Sequence, residues 1–229
     1  MNRLCACYFD YMGDKDRAER AFEKVVKVGI GNYRLWYAPF KLKHYGIAEA
    51  LEIYDLEGPG QESSLTLCMK AILLALSPDG KDESWRLFEQ LMQSEAKYLT
   101  LPEAAVIPLM LGDKERTREI MEEAEKTLPA LLHRPERTPL DVTTRFYMDE
   151  ASDDEMLAHV KDIWQLSCAH HLMALKYLAD KKWELAKEHF VKCTNAAPPF
   201  GNTIHSAWSA SYLAQMKRDT NWPVGRSEQ

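Results

Sequence analysis

The sequence predicts an all-α fold, a right-handed α-solenoid of about five to six helix-turn-helix repeats with a capping helix at its C-terminal end. The main observation is a turn that recurs: residues 13–17 (GDKDR) return as residues 112–116 (GDKER) and, in altered form, as residues 179–183 (ADKKW). The aspartates of the three turns are 99 and 67 residues apart. These separations are close to three and two units of about 34 residues, the length of one stacked helix-turn-helix unit.

Apolar residues flank the first turn at helical spacing. Ala6 and Phe9 precede it, and Ala18, Phe22 and Val25 follow it. Residues three and four apart share one face of a helix, so this pattern predicts two helices that pack against each other across the turn.

The aspartate of each turn is predicted to cap the helix that follows. An N-cap carboxylate accepts hydrogen bonds from backbone N–H groups that have no partner within the helix, and its charge suits the positive end of the helix dipole. We therefore expect Asp14, Asp113 and Asp180 to be N-cap residues.

The last unit has the clearest packing pattern, with small residues where two helices touch, large ones between them and a proline as a stop. Its residues are Ala174, Tyr177, Ala186, Phe190, Cys193 and Pro198. This pattern resembles the tetratricopeptide repeat family, and a similar set surrounds the first turn. The resemblance implies a non-catalytic scaffold whose first helices line a concave groove that binds a peptide or protein.

The resemblance places an apolar set of side chains in this groove, and we call them the predicted groove residues. They are Met69, Leu73, Leu76, Val106, Leu109, Met110, His171, Leu175 and Leu178. An exposed apolar strip would suit an apolar or amphipathic partner. The alternative is that tight curvature or the chain's own loop fills the strip, because apolar residues usually belong to a core.

One domain is expected over residues 1–217, followed by a polar and flexible tail over residues 218–229. An irregular loop is expected at about residues 132–151, because Pro135 and Pro139 exclude a regular helix there. The segment is either a degenerate repeat that lost its first helix or a functional loop that carries Arg134, Arg137 and Arg145 over the groove. Ser152 and Glu155, three residues apart, then predict a capping box. The chain as a whole could serve as a domain of a larger regulatory protein.

Composition excludes several classes of protein. A net charge of −6 and a pI of about 5.7 argue against nucleic-acid binding, which needs a basic surface, and therefore against a pentatricopeptide-like RNA reader. No run approaches the roughly 20 apolar residues of a membrane span. Five cysteines, an odd number scattered through helical pattern, favour a reducing, cytoplasmic location.

The common catalytic motifs are absent from the sequence, so we expect neither an enzyme nor a cofactor. The alternative is a metal- or thiol-dependent enzyme that uses Cys168 with His170 and His171, or His189 with Cys193. His189 and Cys193 lie one helical turn apart and could share a metal ion. However, Cys193 also occupies a small packing position of the repeat, where a cysteine serves as a buried apolar residue.

Overall fold

A computed structural model describes residues 3–29, 32–56, 63–94, 100–127, 140–196 and 203–223, and every regular element in these ranges is an α-helix. The predicted all-α class is confirmed. None of these helices is long and apolar enough to cross a lipid bilayer. In chain order the helices are α1 (Arg3–Tyr11), α2 (Lys15–Val28), α3 (Arg34–His44), α4 (Ile47–Asp55), α5 (Ser64–Ala75), α6 (Lys81–Met92), α7 (Leu101–Ala104), α8 (Val106–Leu111), α9 (Lys114–Thr127), α10 (Leu140–Tyr147), α11 (Asp153–Leu157), α12 (Ile163–Ala179), α13 (Trp183–Ala196) and α14 (Ile204–Arg218).

Consecutive helices pack as pairs. The most extensive contacts within pairs join α12 to α13, α5 to α6, α1 to α2 and α3 to α4. The small residues predicted at the crossings, Ala6, Ala18, Ala174 and Ala186, have no exposed surface, which lets the backbones approach closely. Phe190 is fully buried as well, so the predicted packing residues form the core.

The recurring turn has one geometry at Gly13, Gly112 and Lys181. Each of these residues has a positive φ, of 77°, 88° and 59°, and donates its N–H to the carbonyl three residues earlier. The following residue donates to the carbonyl five residues earlier, which completes a Schellman motif. Asp149, with φ 64°, ends α10 in the same way.

Two of the three predicted N-caps are confirmed. Asp14 accepts a hydrogen bond from the N–H of Arg17, and Asp113 accepts one from the N–H of Arg116. The prediction for Asp180 is wrong, because this residue is the C-cap of α12 and its carboxylate pairs with lysines. The turn is shifted by two residues relative to its sequence letters, so Lys182 occupies the place that Asp14 has in the first turn.

Part of the predicted irregular loop is helical. Helix α10 lies within residues 132–151, and Arg145 on this helix pairs with Glu155 at 2.5 Å rather than standing in a loop. Arg134 and Arg137 lie outside the described residues. The predicted capping box at Ser152 and Glu155 is confirmed.

Helix α14 packs against α13 and α12 and also against α3, far earlier in the chain. The Ser211 hydroxyl donates to the Pro39 carbonyl at 2.8 Å, and Arg218 donates to the carbonyls of Leu42 and Lys43. Within the predicted tail, the Trp222 side chain is buried, with 4% of its surface exposed, while residues 218–221 are exposed. The C-terminal helix therefore joins the two ends of the described chain.

Candidate functional site

The predicted groove residues lie mostly inside the protein. Seven of the nine are buried, with exposures between 0% and 5%, and only Leu109 and Met110 are half-buried. They come from α5 and its C-cap Leu76, from α8 and from α12, and α8 packs against both α5 and α12. In this arrangement a partner could reach the buried seven only if helices separated. Their role in partner binding stays a prediction.

A cluster of polar side chains lies where α7, α12 and α14 meet, and we call it the central cluster. Glu103, Cys168 and His205 each offer one donor atom, and these atoms all lie within 4.8 Å of one another. Nε2 of His205 is 3.1 Å from Oε1 of Glu103 and 3.8 Å from Sγ of Cys168.

Local structure fixes each member of the central cluster. Glu103 lies on the short α7, whose Pro102 carbonyl accepts a hydrogen bond from the hydroxyl of Tyr147 at 2.7 Å. Cys168 lies within α12, which begins after the N-cap Asp162. His205 is the second residue of α14, in the first turn after the N-cap Thr203. The three side chains are therefore carried by three separately anchored helices.

The charges within the central cluster stabilise one another. Burial alone lowers the pKa of His205, but the charge of Cys168 and the hydrogen bonds with Cys168 and Glu103 outweigh it and hold that pKa well above its usual value. Burial and the charge of Glu103 raise the pKa of the nearby Cys68 thiol. The cluster therefore couples an acid, a base and thiols at a place where Glu103 is buried and Cys168 and His205 are half-buried.

His171 lies next to the central cluster. Its ring centroid is 5.2 Å from that of His205, and its Nδ1 is 2.9 Å from the hydroxyl oxygen of Ser209. Burial lowers the pKa of His171 well below its usual value, which keeps the ring neutral. Within the described residues, Nε2 of His171 and Oε2 of Glu103 are buried and have no hydrogen-bond partner.

A second polar cluster joins α11, α12 and α13. Nδ1 of His170 is 3.1 Å from Nδ1 of His189, and Nε2 of His189 is 3.0 Å from the Asp153 carboxylate, which also accepts a hydrogen bond from the hydroxyl of Tyr177. Burial and the charge of His189 lower the pKa of His170 to about 4. Both nitrogens of His189 are therefore engaged.

The residues of the enzyme alternative are distributed differently from the prediction. Cys168 contacts His205 rather than His170, and His170 belongs to the second cluster. Cys193 is fully buried, where its thiol lies 3.3 Å from the hydroxyl oxygen of Ser167, and burial raises its pKa. Cys193 therefore has the packing role that the repeat pattern predicts.

Sequence reasoning missed the cleft that opens between α1, α3 and α14. Its volume is about 390 Å³, and aromatic side chains of Tyr11, Phe22, Trp36 and Phe40 form part of its wall. At the α1 side, Asp10 accepts hydrogen bonds from Lys43 at 3.0 Å and lies 2.6 Å from His44. Nothing in the local sequence brings α14 to this place, so no pattern could have indicated the cleft.

Helix α1 leaves an apolar face in solvent beside the cleft. The α1 face consists of Leu4, Tyr8, Tyr11 and Met12, with exposures of 63%, 46%, 54% and 59%. The spacing of these residues places them on one side of the helix. Tyr11 belongs both to this face and to the wall of the cleft.

Comparison of the chain with known protein families, with curated proteins and with solved structures finds no match. The functional conclusion therefore depends on the geometry of this chain alone.

Proposed function

We propose that the protein is a non-catalytic protein–protein interaction module, a tetratricopeptide-like helical array that binds an apolar or amphipathic segment of another protein. The single observation that carries this proposal is the α1 face, an exposed apolar surface that continues into an aromatic cleft. Large exposed apolar patches are rare on folded monomeric proteins, and where they occur they commonly mark interaction sites.

The repeat architecture is part of the proposal. Support comes from the alanines buried at the helix crossings and from the identical turn geometry at Gly13, Gly112 and Lys181. We regard the helix pairs as successive units of a right-handed superhelix whose last helix folds back onto α3. The binding surface then lies at the outer side of the first unit rather than in the concave groove.

The shape of the α1 face indicates the kind of partner. Apolar side chains four, seven and eight residues apart match the spacing with which an amphipathic helix is recognised. Tyr11 leads from this face into the cleft, whose volume of about 390 Å³ can hold apolar side chains of the partner. A partner helix that packs along α1 and inserts one anchor residue beside Tyr11 fits both features.

The charges of the cleft and of the whole chain also favour an amphipathic helix as the partner. Burial raises the pKa of Asp10, but the hydrogen bond with His44 and the charge of Lys43 outweigh burial, so the net pKa is lowered and the carboxylate stays paired. The cleft thus offers no uncompensated charge to an apolar side chain at this position. The net charge of −6 attracts a helix whose polar face is basic.

A cytoplasmic location is part of the proposal as well. Cys68 and Cys193 are both fully buried and are not joined in a disulfide. Thiols of this kind are typical of proteins in reducing compartments.

The thiol enzyme is not a second candidate. In a thiol enzyme the catalytic base is a histidine, and one of its ring nitrogens accepts the proton of the nucleophile. The other ring nitrogen is held by the group that orients the histidine. In the central cluster Cys168 and Glu103 both approach the same atom, Nε2 of His205. No specific geometry therefore favours proton transfer along that line.

The test compares a variant of the α1 face with a matched variant elsewhere. Leu4→Glu with Tyr8→Glu places charge on the α1 face, and Leu185→Glu with Val191→Glu places the same charge on α13, where these two residues are 41% and 40% exposed. Partners crosslinked to the native protein are identified by mass spectrometry, and the crosslinked segment is synthesised. Its affinity is then measured by calorimetry.

We expect the α1 variant to weaken binding at least tenfold and the α13 variant to bind as the native protein does. Equal binding by all three proteins would exclude the α1 face. A concentration-dependent dimer that only the α1 variant abolishes would make a second copy of this chain the partner.

A further inference from the structure

We propose that Glu103, Cys168 and His205 form a binding site for a divalent transition metal ion of the zinc type. The carboxylate, thiol and imidazole of the central cluster converge on one point, with every pair of donor atoms within 4.8 Å. Thiolate, imidazole and carboxylate are the three ligand types that zinc takes from proteins. This site goes beyond the proposed interaction function and does not depend on it.

The distances fit tetrahedral coordination. Metal–ligand bonds of about 2.3 Å for sulfur and about 2.0 to 2.1 Å for nitrogen and oxygen imply ligand separations of about 3.6 Å between sulfur and nitrogen and about 3.3 Å between nitrogen and oxygen. The observed separations are 3.8 Å between Cys168 Sγ and His205 Nε2 and 3.1 Å between His205 Nε2 and Glu103 Oε1. Shifts of a few tenths of an ångström would bring these atoms to the ideal values.

An unpartnered carboxylate oxygen faces the proposed site. Glu103 is 7% exposed, and within the described residues its Oε2 atom has no hydrogen-bond partner. His205 faces Oε1 of Glu103, but Oε2 lacks the hydrogen bond that a buried carboxylate oxygen ordinarily accepts. A divalent cation bound by Glu103 would satisfy this second oxygen.

The contacts at His205 are better explained by a metal ion than by hydrogen bonds alone. Nε2 carries at most one proton, yet both Glu103 and Cys168 approach this atom. If that proton is shared between two acceptors, each hydrogen bond is weakened. Three donor atoms that surround a cation need no proton between them, because each directs a lone pair to the ion.

His171 lies beside the proposed site. Its Nδ1 lies 2.9 Å from the hydroxyl oxygen of Ser209, its ring is 5.2 Å from the ring of His205, and its buried Nε2 has no partner within the described residues. A hydrogen bond from Nδ1–H to Ser209 leaves the lone pair on Nε2, and such outer-shell bonds orient metal-binding histidines. The nitrogens of His171 are not within 4.8 Å of all three donor atoms, so His171 lies beside the three ligands and would become a fourth ligand only if its side chain moved toward the ion.

The ion would hold distant parts of the chain together. Glu103 and His205 are 102 residues apart, and Cys168 and His205 are 37 residues apart. Ligands on α7, α12 and α14 would fix the position of α14, which also contacts α3. A link that closes long segments of chain stabilises the folded state. The site is therefore structural.

The test uses the full chain without a histidine tag. Metal-free protein is titrated with Co²⁺, whose thiolate complex has a charge-transfer absorption band, and with Zn²⁺ in competition with a chromophoric chelator. We expect one ion per chain and a thiolate band. Cys168→Ser should abolish the band and weaken Zn²⁺ binding at least tenfold, as should His205→Gln. Cys5→Ser, which removes a half-buried thiol on α1, should bind as the native chain does.

A measurement on the native chain covers the case in which a variant does not fold. Cys168 is half-buried and can be alkylated. Saturating Zn²⁺ should slow alkylation of Cys168 at least tenfold and leave Cys5, another half-buried cysteine, unaffected. Equal alkylation of Cys168 with and without Zn²⁺, or a cobalt spectrum without a thiolate band, would overturn the proposal.

Discussion

The first helix and the last three helices depart from the usual distribution of side chains in opposite ways. Helix α1 exposes the apolar side chains of Leu4 and Tyr11, whereas α12–α14 bury polar ones such as His171, Ser209 and Lys176, which are 0% to 2% exposed. Exposed apolar residues contribute little to stability, while buried polar groups are tolerated only with partners. The first departure therefore indicates a surface for another molecule, and the second indicates a network needed for the fold.

Lys176 illustrates how the C-terminal region satisfies a buried charge. Its ammonium group pairs with the carboxylates of Asp149 and Asp180. Asp149 also pairs with Lys114 at 2.6 Å, and although burial raises its pKa, the hydrogen bonds from Lys114 and Lys176 lower it to about 2. This network connects α12 to the turn that follows α10 and to the first residue of α9.

The largest expected difference between the two regions is in the loss of stability when a tyrosine is replaced by alanine. Tyr212 is fully buried and packs against Phe190 and Trp222, with ring centroids 5.2 Å and 5.8 Å away. Tyr212→Ala should lower the free energy of unfolding by about 3 to 5 kcal/mol, because it leaves a large cavity. Tyr8→Ala on the α1 face should change it by about 0.5 kcal/mol or less. Urea denaturation of both variants measures the difference, and similar losses would contradict the distinction.

A pH effect of intermediate size is expected from a buried histidine in the C-terminal region. The pKa of His170 is about 4 in the folded protein, against about 6.5 in an unfolded chain. As the pH falls from about 6.5 to about 4, the unfolded chain binds a proton that the folded chain does not bind, so stability is lost over this window. The shift corresponds to at most about 3 kcal/mol at 1.36 kcal/mol per pKa unit.

His170→Gln isolates this contribution. Its stability should fall less than that of the native protein between pH 6.5 and pH 4, as measured by urea denaturation at both values. The neighbouring His189, Asp153, Glu188 and Lys192 titrate or carry charge in both proteins, so the difference between the two curves reports on His170. Parallel curves would show that His170 is protonated normally in the folded state.

A smaller effect is expected where the two regions meet. Ser211 on α14 donates a buried hydrogen bond to the Pro39 carbonyl on α3. Ser211→Ala should lower the free energy of unfolding by about 1 kcal/mol, since one net hydrogen bond is lost. Thermal unfolding followed by circular dichroism measures this. An unchanged midpoint would show that the Ser211 hydrogen bond does not contribute to holding α14 against α3.

The smallest effects are expected from two substitutions that exchange the turn residue between equivalent turns of the two regions. Lys181 has a left-handed conformation that a glycine adopts without strain, so Lys181→Gly should stabilise the protein by up to about 1 kcal/mol. Gly13→Lys should destabilise it by a similar amount, and its strain comes from the backbone alone because a Cβ at Gly13 meets no atom within 4 Å. Denaturant midpoints that shift in the same direction for both variants would contradict the equivalence of the two turns.

Local patterns predicted local structure well. The helical class, the caps at Asp14 and Asp113 and the buried alanines all follow from interactions within one turn or one helix pair. The prediction that Asp180 is an N-cap was wrong because it matched the turns by residue identity, and this alignment differs from the one that the packing residues give. Ala174 and Ala186 place the turn residue at Lys181, and the structure follows this packing register.

Long-range arrangement could not be predicted from the same patterns. Cys168 was recognised as a candidate, but Glu103 and His205 have no sequence signal that connects them to it, since they lie on helices that meet only after α14 folds back. The burial of the predicted groove residues has the same cause. Helical spacing identifies which side of a helix is apolar, but it does not identify what covers that side.

The contact between α14 and α3 has a consequence for synthesis on the ribosome. Ser211 emerges 172 residues after Pro39, which takes roughly 9 to 34 s at translation rates of about 5 to 20 residues per second. During that interval α2, α3 and α4 can pack, but the side of α3 around Pro39 remains uncovered. The nascent chain therefore presents a temporary apolar surface that chaperones can bind and that the last helix removes.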